Sequence, residues 1–349
     1  MDPTMAKKVV TFGEIMLRLS PPRFQRFTEA ASFDATYGGA ESNVAIALAN
    51  FGVPVDYVTR LPENDIGDAC LNFIRSFGVG TRKIIRGGER LGVFFNEIGA
   101  IQRGDKVIYD RANSAMATIE SGIFDWAEIF SDAKWFHWTG ITPAISEGAT
   151  KTCLKAVKKA KDMGLIVSCD LNYRSKLWKW GKTPREVMPD LFKYVDVAVA
   201  NEEHVEKVFG IKAPGVDATA GKVDAEKYRL IADNLMEKFP NLKKIGITLR
   251  GSISASHNTW SAVLYDGRKL YTTTTYKITH IVDRSGSGDS FAAGLIYGLL
   301  TYGENLQKAL DFATAASCLK HTTSGVILKA KVDEVETLMA GVTSGRIQR

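Results

Sequence analysis

The chain has 349 residues, of which 45% are apolar, with four cysteines and a formal net charge of +6. That length suits one large α/β domain with a small appendage, or two domains, and the composition supports a sizeable core. No apolar run approaches the ~18 residues of a membrane helix, and the lysines and arginines are dispersed rather than interleaved with aromatics, so neither a membrane span nor nucleic-acid binding is expected.

At the start, Met1-Asp2-Pro3-Thr4-Met5 lacks the basic-then-apolar pattern of a secretory leader. Residues 1–4 read as an appended tag, with Met5 as the natural start and a single domain over 5–345. Cys70, Cys153, Cys169 and Cys318 form no Cys-x-x-Cys pair. Isolated thiols fit a reducing cytoplasm better than a disulfide framework or a zinc site. The excess positive charge serves solubility first, and also raises the local concentration of anionic ligands.

Lys8-Val9-Val10-Thr11-Phe12-Gly13 predicts a buried opening strand, and residues 42–51 a helix of small residues closed by Gly52. Further strands are predicted at 135–138, 166–170, 195–200 and 245–248, and helices near 147–163, 184–194, 202–209 and 224–238. Residues 290–340 read as nearly all helix. Such βα alternation argues a mostly parallel sheet with helices on both faces. Two stretches, 16–39 and 88–111, are rich in β-branched and aromatic residues and break the rhythm. They are either extra edge strands of the main sheet or a small β-sheet lid over a pocket, whose exposed edge or face a second subunit would cover. Residues 211–223 are turn-rich and read as a surface loop.

The strongest chemical signal is Ile281-Val282-Asp283-Arg284-Ser285-Gly286-Ser287-Gly288-Asp289, followed by an apolar helix. The pattern reads as a strand, then glycines, then an acid at a helix start. Unpaired N–H groups and the dipole at a helix N-terminus favour anions, and Gly286 and Gly288 let a phosphate approach the backbone. Asp289 could accept the proton of an attacking hydroxyl, or it could simply cap the helix. Other phosphate motifs fail. A Walker A loop needs glycine five residues before Gly181-Lys182-Thr183, where Lys176 stands; the dinucleotide fingerprint needs a third glycine where Phe291 stands. A second signal, Tyr37-Gly38-Gly39-Ala40-Glu41-Ser42-Asn43, opens the first helix. It is a close-approach loop with a hydrogen-bonding asparagine, or a turn and cap.

Together, Gly38-Gly39-Ala40-x-x-Asn43 near the start and Asp283-x-x-Gly286-x-Gly288-Asp289 near the end resemble the ribokinase/PfkB family of carbohydrate kinases, over essentially residues 8–339. The resemblance implies a ribokinase-like three-layer α/β/α sandwich with a mostly parallel central sheet and a small β-sheet lid that often pairs subunits, so a homodimer or higher oligomer is expected. It implies ATP and Mg2+ as cofactors, an anion hole from the backbone of Gly286, Ser287 and Gly288, and Asp289 as catalytic base. The loop Thr248-Leu249-Arg250-Gly251 matches the family's nucleotide loop, with Gly251 allowing the turn and Thr248 and Arg250 meeting phosphates. Asn172 and Asn201 join the ATP set. The family's Asn-x-x-Glu metal motif reads here Asn201-Glu202-Glu203-His204; Glu202 or Glu203 could substitute for the final acid, the metal assignment falling on Glu203, or the metal could be held mainly through phosphates, and His204 is expected as an exposed helix histidine.

The sequence is also similar to the branch of this family that phosphorylates 2-keto-3-deoxygluconate. Tyr109-Asp110-Arg111-Ala112-Asn113-Ser114-Ala115 and Asp170-Leu171-Asn172-Tyr173-Arg174 carry that similarity. Guanidinium groups at Arg111 and Arg174 can grip a carboxylate, which neutral sugars lack. Such a charged hydrogen bond is worth about 1.5–3 kcal/mol. Gly38, Gly39, Asn43, Phe94 and Tyr109 complete the expected sugar site, with Phe94 where relatives often have a tyrosine, and Tyr109 either bonding the sugar or packing in the lid. Val326 stands where this branch often has a polar residue. Arg284, in place of a commoner threonine, could reach phosphate or only solvent. The expected reaction is transfer of the ATP γ-phosphate to the 6-hydroxyl of 2-keto-3-deoxygluconate. Alternatives are a fructokinase- or ribokinase-like enzyme for a neutral sugar, or a non-catalytic sugar-sensing module.

Overall fold

The structure is a computed structural model and describes residues 8–212 and 225–342. Most of the turn-rich 211–223 segment lies outside the described residues. In chain order the strands are β1 Lys8–Phe12, β2 Met16–Ser20, β3 Asp34–Gly38, β4 Val55–Val58, β5 Arg60–Leu61, β6 Ile85–Arg86, β7 Val93–Glu97 and β8 Lys106–Asp110, then β9 Ala133–Thr139, β10 Ile166–Asp170, β11 Val197–Ala200, β12 Lys244–Ser252, β13 Asn258–Tyr265, β14 Leu270–Thr272 and β15 Tyr276–Ile278.

The main sheet runs β14-β13-β12-β11-β10-β9-β1-β4, with β15 also paired to β13. From β4 to β12 every pairing is parallel; β13 turns back antiparallel on β12. Parallel strands are buried on both faces, and the side chains alternate accordingly. Val9 of β1 packs on one side and Val10 and Phe12 on the other; in β11, Val197 and Val199 oppose Ala198 and Ala200. One side is covered by the helices Glu147–Asp162, Pro184–Phe192, Glu202–Phe209 and Ala225–Lys238. The other is covered by Ala40–Asn50, Asp65–Arg75, Ser287–Tyr302 and Leu306–Lys320. This is the expected three-layer α/β/α sandwich.

The stretches 16–39 and 88–111 form a separate four-stranded sheet of order β3-β2-β7-β8, not extra edges of the main sheet. Its strands fill only parts of those stretches. Two further expectations are corrected. No strand leads into the glycine motif: β15 ends at Ile278, and residues 279–286 are irregular until the helix begins at Ser287. Residues 290–340 are three helices with an irregular stretch at 321–331. The antiparallel strands β13 to β15 carried no recognised sequence signal.

Candidate active site

Two adjoining cavities open at the carboxyl ends of β9, β10, β11 and β12, where α/β sheets bind ligands. The larger is about 390 Å³ and the smaller about 120 Å³. Asn172, Arg174, Gly286 and Asp289 line both.

The glycine motif forms the shared wall. Gly286 is the N-cap of Ser287–Tyr302 in a left-handed conformation (φ 82°), and a Cβ there would fall 1.9 Å from the Val326 carbonyl oxygen. Only glycine fits this position. Asp289 stands inside the first turn, so it is not the cap. Its carboxylate accepts a hydrogen bond from Asn43 Nδ2 at 2.7 Å, which joins the two sequence motifs 246 residues apart. Burial pushes Asp289 up to about 6, against the opposing pull of Asn43, Arg174 and Lys320. Asp170 is pushed up to about 7, mainly by burial and then by the Asp289 charge. Asp283, by contrast, is structural. Its carboxylate receives Arg18 at 2.7 Å, Ser285 N at 2.9 Å and Gly325 N at 3.1 Å.

The larger cavity gathers the expected phosphate-side residues. Asn201, Thr248 and Arg250 line it, as do Ser287 and Gly288. Arg250 donates to Ser287 Oγ at 2.8 Å, and its guanidinium stacks 4.9 Å from the centre of the Trp260 ring. Burial pulls Arg250 down to about 10, so it stays charged at neutral pH. Asn172 is held at φ 34° with its side-chain oxygen buried and unpartnered; asparagine tolerates that conformation better than most residues. Gly251 does not belong to this group. It lies within β12 opposite Thr259 and makes no turn.

The metal side differs from expectation at His204. This histidine is not exposed: it is half-buried on the cavity wall, burial pushes it down to about 3, and its backbone N–H is capped by Asn201 Oδ1 at 2.8 Å. Glu203 is exposed on the rim, while Glu202 is more enclosed and raised by burial. Among the described residues no three acids, histidines or cysteines converge as a metal cage. The oxygen donors that line the cavity suit a hydrated Mg2+ held mainly through phosphate oxygens.

The smaller cavity lies between the small sheet and the main sheet. Gly38, Gly39 and Asn43 form one wall; Phe94, Tyr109 and Arg111 form another. A Cβ on Gly39 would fall 1.9 Å from the Glu14 carbonyl oxygen, and one on Gly38 would fall 2.4 Å from a Val326 methyl. This close approach explains the paired glycines. Arg111 is not a surface arginine. It is buried in an ion pair with Glu14, whose other carboxylate oxygen accepts from Ser114 Oγ. Sequence reading missed this pairing, because the two residues stand 97 positions apart with no motif joining them. Arg174 is exposed and makes no ion pair among the described residues, leaving its charge free where the cavities meet. Arg284 reaches neither of its expected destinations alone: on the wall of the larger cavity it pairs with Asp105 of the small-sheet loop at 3.3 Å. Also missed was Glu41, fully buried two residues before Asn43, which accepts from Thr139 and Thr142 hydroxyls at 2.8 and 2.7 Å.

Comparison with known proteins agrees with this geometry. A model of the "pfkB family carbohydrate kinase" matches residues 6–332. The crystal structure of a 2-dehydro-3-deoxygluconokinase from Thermotoga maritima is similar at 49% identity and a TM-score of 0.90, covering 96% of this chain and 99% of that one. A 2-dehydro-3-deoxygalactonokinase of Haloferax volcanii is 32% identical over 344 residues, which is 98% of this chain and 99% of the relative. An Escherichia coli ribokinase II candidate, solved with ATP and Mg2+, shares the fold at 21% identity and a TM-score of 0.78, over 96% of this chain and 99% of that one. The chain belongs to the pfkB family of carbohydrate kinases and is an ATP-dependent sugar kinase.

Proposed function

We propose that this kinase phosphorylates the 6-hydroxyl of 2-keto-3-deoxygluconate, an acidic sugar. The observation that carries this reading is the pair of cations on the sugar cavity. Arg111 is fixed in orientation by Glu14, and Arg174 makes no ion pair among the described residues where the sugar cavity meets the phosphate cavity. A neutral sugar would offer Arg111 no carboxylate to bond beside Glu14, so a buried arginine on this wall suits an acid sugar. The 49% identity to the Thermotoga maritima 2-dehydro-3-deoxygluconokinase (the same acceptor under another name) supports it.

In this reading Phe94, Tyr109, Gly38 and Gly39 shape the sugar cavity, Asn43 bonds a sugar hydroxyl and Asp289 together, and Arg111 takes the carboxylate. Asp289 receives the proton of the 6-hydroxyl as its oxygen bonds to the γ-phosphorus and the bond from that phosphorus to ADP breaks. The backbone N–H groups of Gly286, Ser287 and Gly288 stabilise the charge on the phosphoryl oxygens. Arg174 lies where the phosphoryl group crosses. Asn172, Asn201, Thr248 and Arg250 face the ATP phosphates. Glu203 on the rim would hold waters of a bound Mg2+, which would supply charge neutralisation on those phosphates. Closure of the small sheet over the sugar cavity would exclude water from the transfer.

The Haloferax volcanii relative favours one second reading, the galactonate epimer as acceptor. The deciding experiment is an acceptor panel at fixed MgATP with both 2-keto-3-deoxy acids, fructose and ribose. The expected result is at least tenfold higher kcat/KM on an acid sugar, the loss of one charged hydrogen bond being worth about that much. If fructose or ribose is turned over as well as the acids, the acid-sugar reading fails.

A further inference from the structure

Lys320 closes the helix Leu306–Lys320 with none of its surface exposed, and it lines neither cavity. A buried ammonium is costly unless its donors are satisfied. Here Nζ donates to the main-chain carbonyls of Asp283 and Thr323, each at 3.1 Å. Those carbonyls belong to the two loops that build the anion hole. Residues 283–286 run into the N-cap Gly286, and residues 323–326 end at Val326, whose carbonyl backs Gly286. Two carbonyl oxygens aimed at one point repel each other, and a cation between them converts that repulsion into charge-assisted hydrogen bonds.

The charge also acts on the site. Asp283 and Asp289 face Lys320 and attract it, while Arg18 and Lys329 oppose. Asp289 in turn faces Asn43, Arg174 and Lys320, and its charge is felt by Asp170 and Glu41. Burial draws Lys320 down to about 8, so it keeps its proton at neutral pH. A lysine serving only the helix dipole would sit in the last turn with its ammonium in water.

We propose that Lys320 is a positioning residue for phosphoryl transfer: its buried ammonium ties the Asp283 and Thr323 carbonyls together, holding the Gly286-Ser287-Gly288 backbone in place, and its charge adds to the pull of Asn43 and Arg174 on the side of the ionised Asp289. This rests on the family's kinase reaction and not on which sugar is the acceptor. The assay therefore uses whichever sugar the full-length enzyme turns over best, and failure of the acid-sugar reading leaves the comparison of variant with parent intact.

The test is the pH profile of kcat and kcat/KM for Lys320→Met and Lys320→Gln, with Lys320→Ala assayed with and without added methylammonium. Lys320→Met should lose about 10²-fold in kcat, while KM for the sugar changes by less than about threefold. Lys320→Gln retains an N–H donor for the carbonyls but no charge. It should keep more kcat than Lys320→Met, yet its acid limb should move to higher pH as in Lys320→Met. Methylammonium should raise kcat of Lys320→Ala and leave the parent unchanged. If Lys320→Met does not fold, the acid limb of Lys320→Gln and the amine rescue decide. An acid limb in Lys320→Gln that matches the parent's overturns the electrostatic role. A Lys320→Ala enzyme that methylammonium does not reactivate overturns the positioning role.

Discussion

At the scale of single residues, Asp289 shows how position converts an ordinary acid into a candidate base. Burial raises it to about 6, and Asn43 bonds its ionised form. A base works only when deprotonated. Activity should therefore fall as pH drops through about 6 and stay flat above it, until other groups titrate. Asp170, raised to about 7 beside it, titrates in the same range, so the measured limb belongs to the pair. Asp289→Asn should lower kcat by about 10³-fold or more, with ATP binding by calorimetry retained; near-parental kcat would remove Asp289 from the role. Arg111 poses a different test. Because Glu14 already holds it, Arg111→Ala frees a buried carboxylate as well as removing a cation. KM for the acid sugar should rise by about ten- to a hundredfold with a smaller change in kcat, and the double variant with Glu14→Gln should recover stability but not that KM. A KM unaffected by the first change would show that the carboxylate binds elsewhere.

At the scale of elements, the notable coupling is between the small sheet and the glycine loop. Arg18 of β2 and Asp283 are 2% and 1% exposed and meet at 2.7 Å. Breaking such a buried pair leaves an uncompensated charge, at a cost of about 3–5 kcal/mol. Arg18→Met should therefore lower the unfolding free energy by that amount, seen as a lower urea midpoint at an unchanged slope, since the surface exposed on unfolding is the same. A loss below about 1 kcal/mol would mean that the two backbone N–H groups left on the Asp283 carboxylate, those of Ser285 and Gly325, suffice without Arg18.

At the scale of the whole molecule, the small sheet has a second face. In register across its four strands stand Ala35, Leu19, Phe95 and Ile108. Ile108 is 54% exposed, and Phe27 and Phe33 meet Phe95 in T-shaped contacts. An apolar row of this kind on a sheet that also covers the smaller cavity favours pairing with a second copy of the chain. Sedimentation should give a dimer, and Ile108→Lys should shift it toward monomer without unfolding it. A monomer at all concentrations for the parent chain would refute the pairing.

What the sequence determined by itself was whatever is local or periodic. The buried runs at 8–12 and 166–170 and the helices at 147–162 and 202–209 follow from hydrophobic period and from turn residues. The glycine-acid motif is legible because its chemistry is contiguous. The strand expected before it is absent, since residues 279–286 are irregular, and elsewhere the reading failed where a neighbour decides: Gly251 looks like a turn residue until β13 pairs beside it, and His204 looks exposed until the cavity wall closes around it. Tertiary structure alone joined Glu14 to Arg111, Arg18 to Asp283 across 265 residues, and Lys320 to the main-chain carbonyls of Asp283 and Thr323. The physical reason is the same in each case. A buried charge needs a partner in space, sheet order sets which distant loops meet, and no period along the chain records that order.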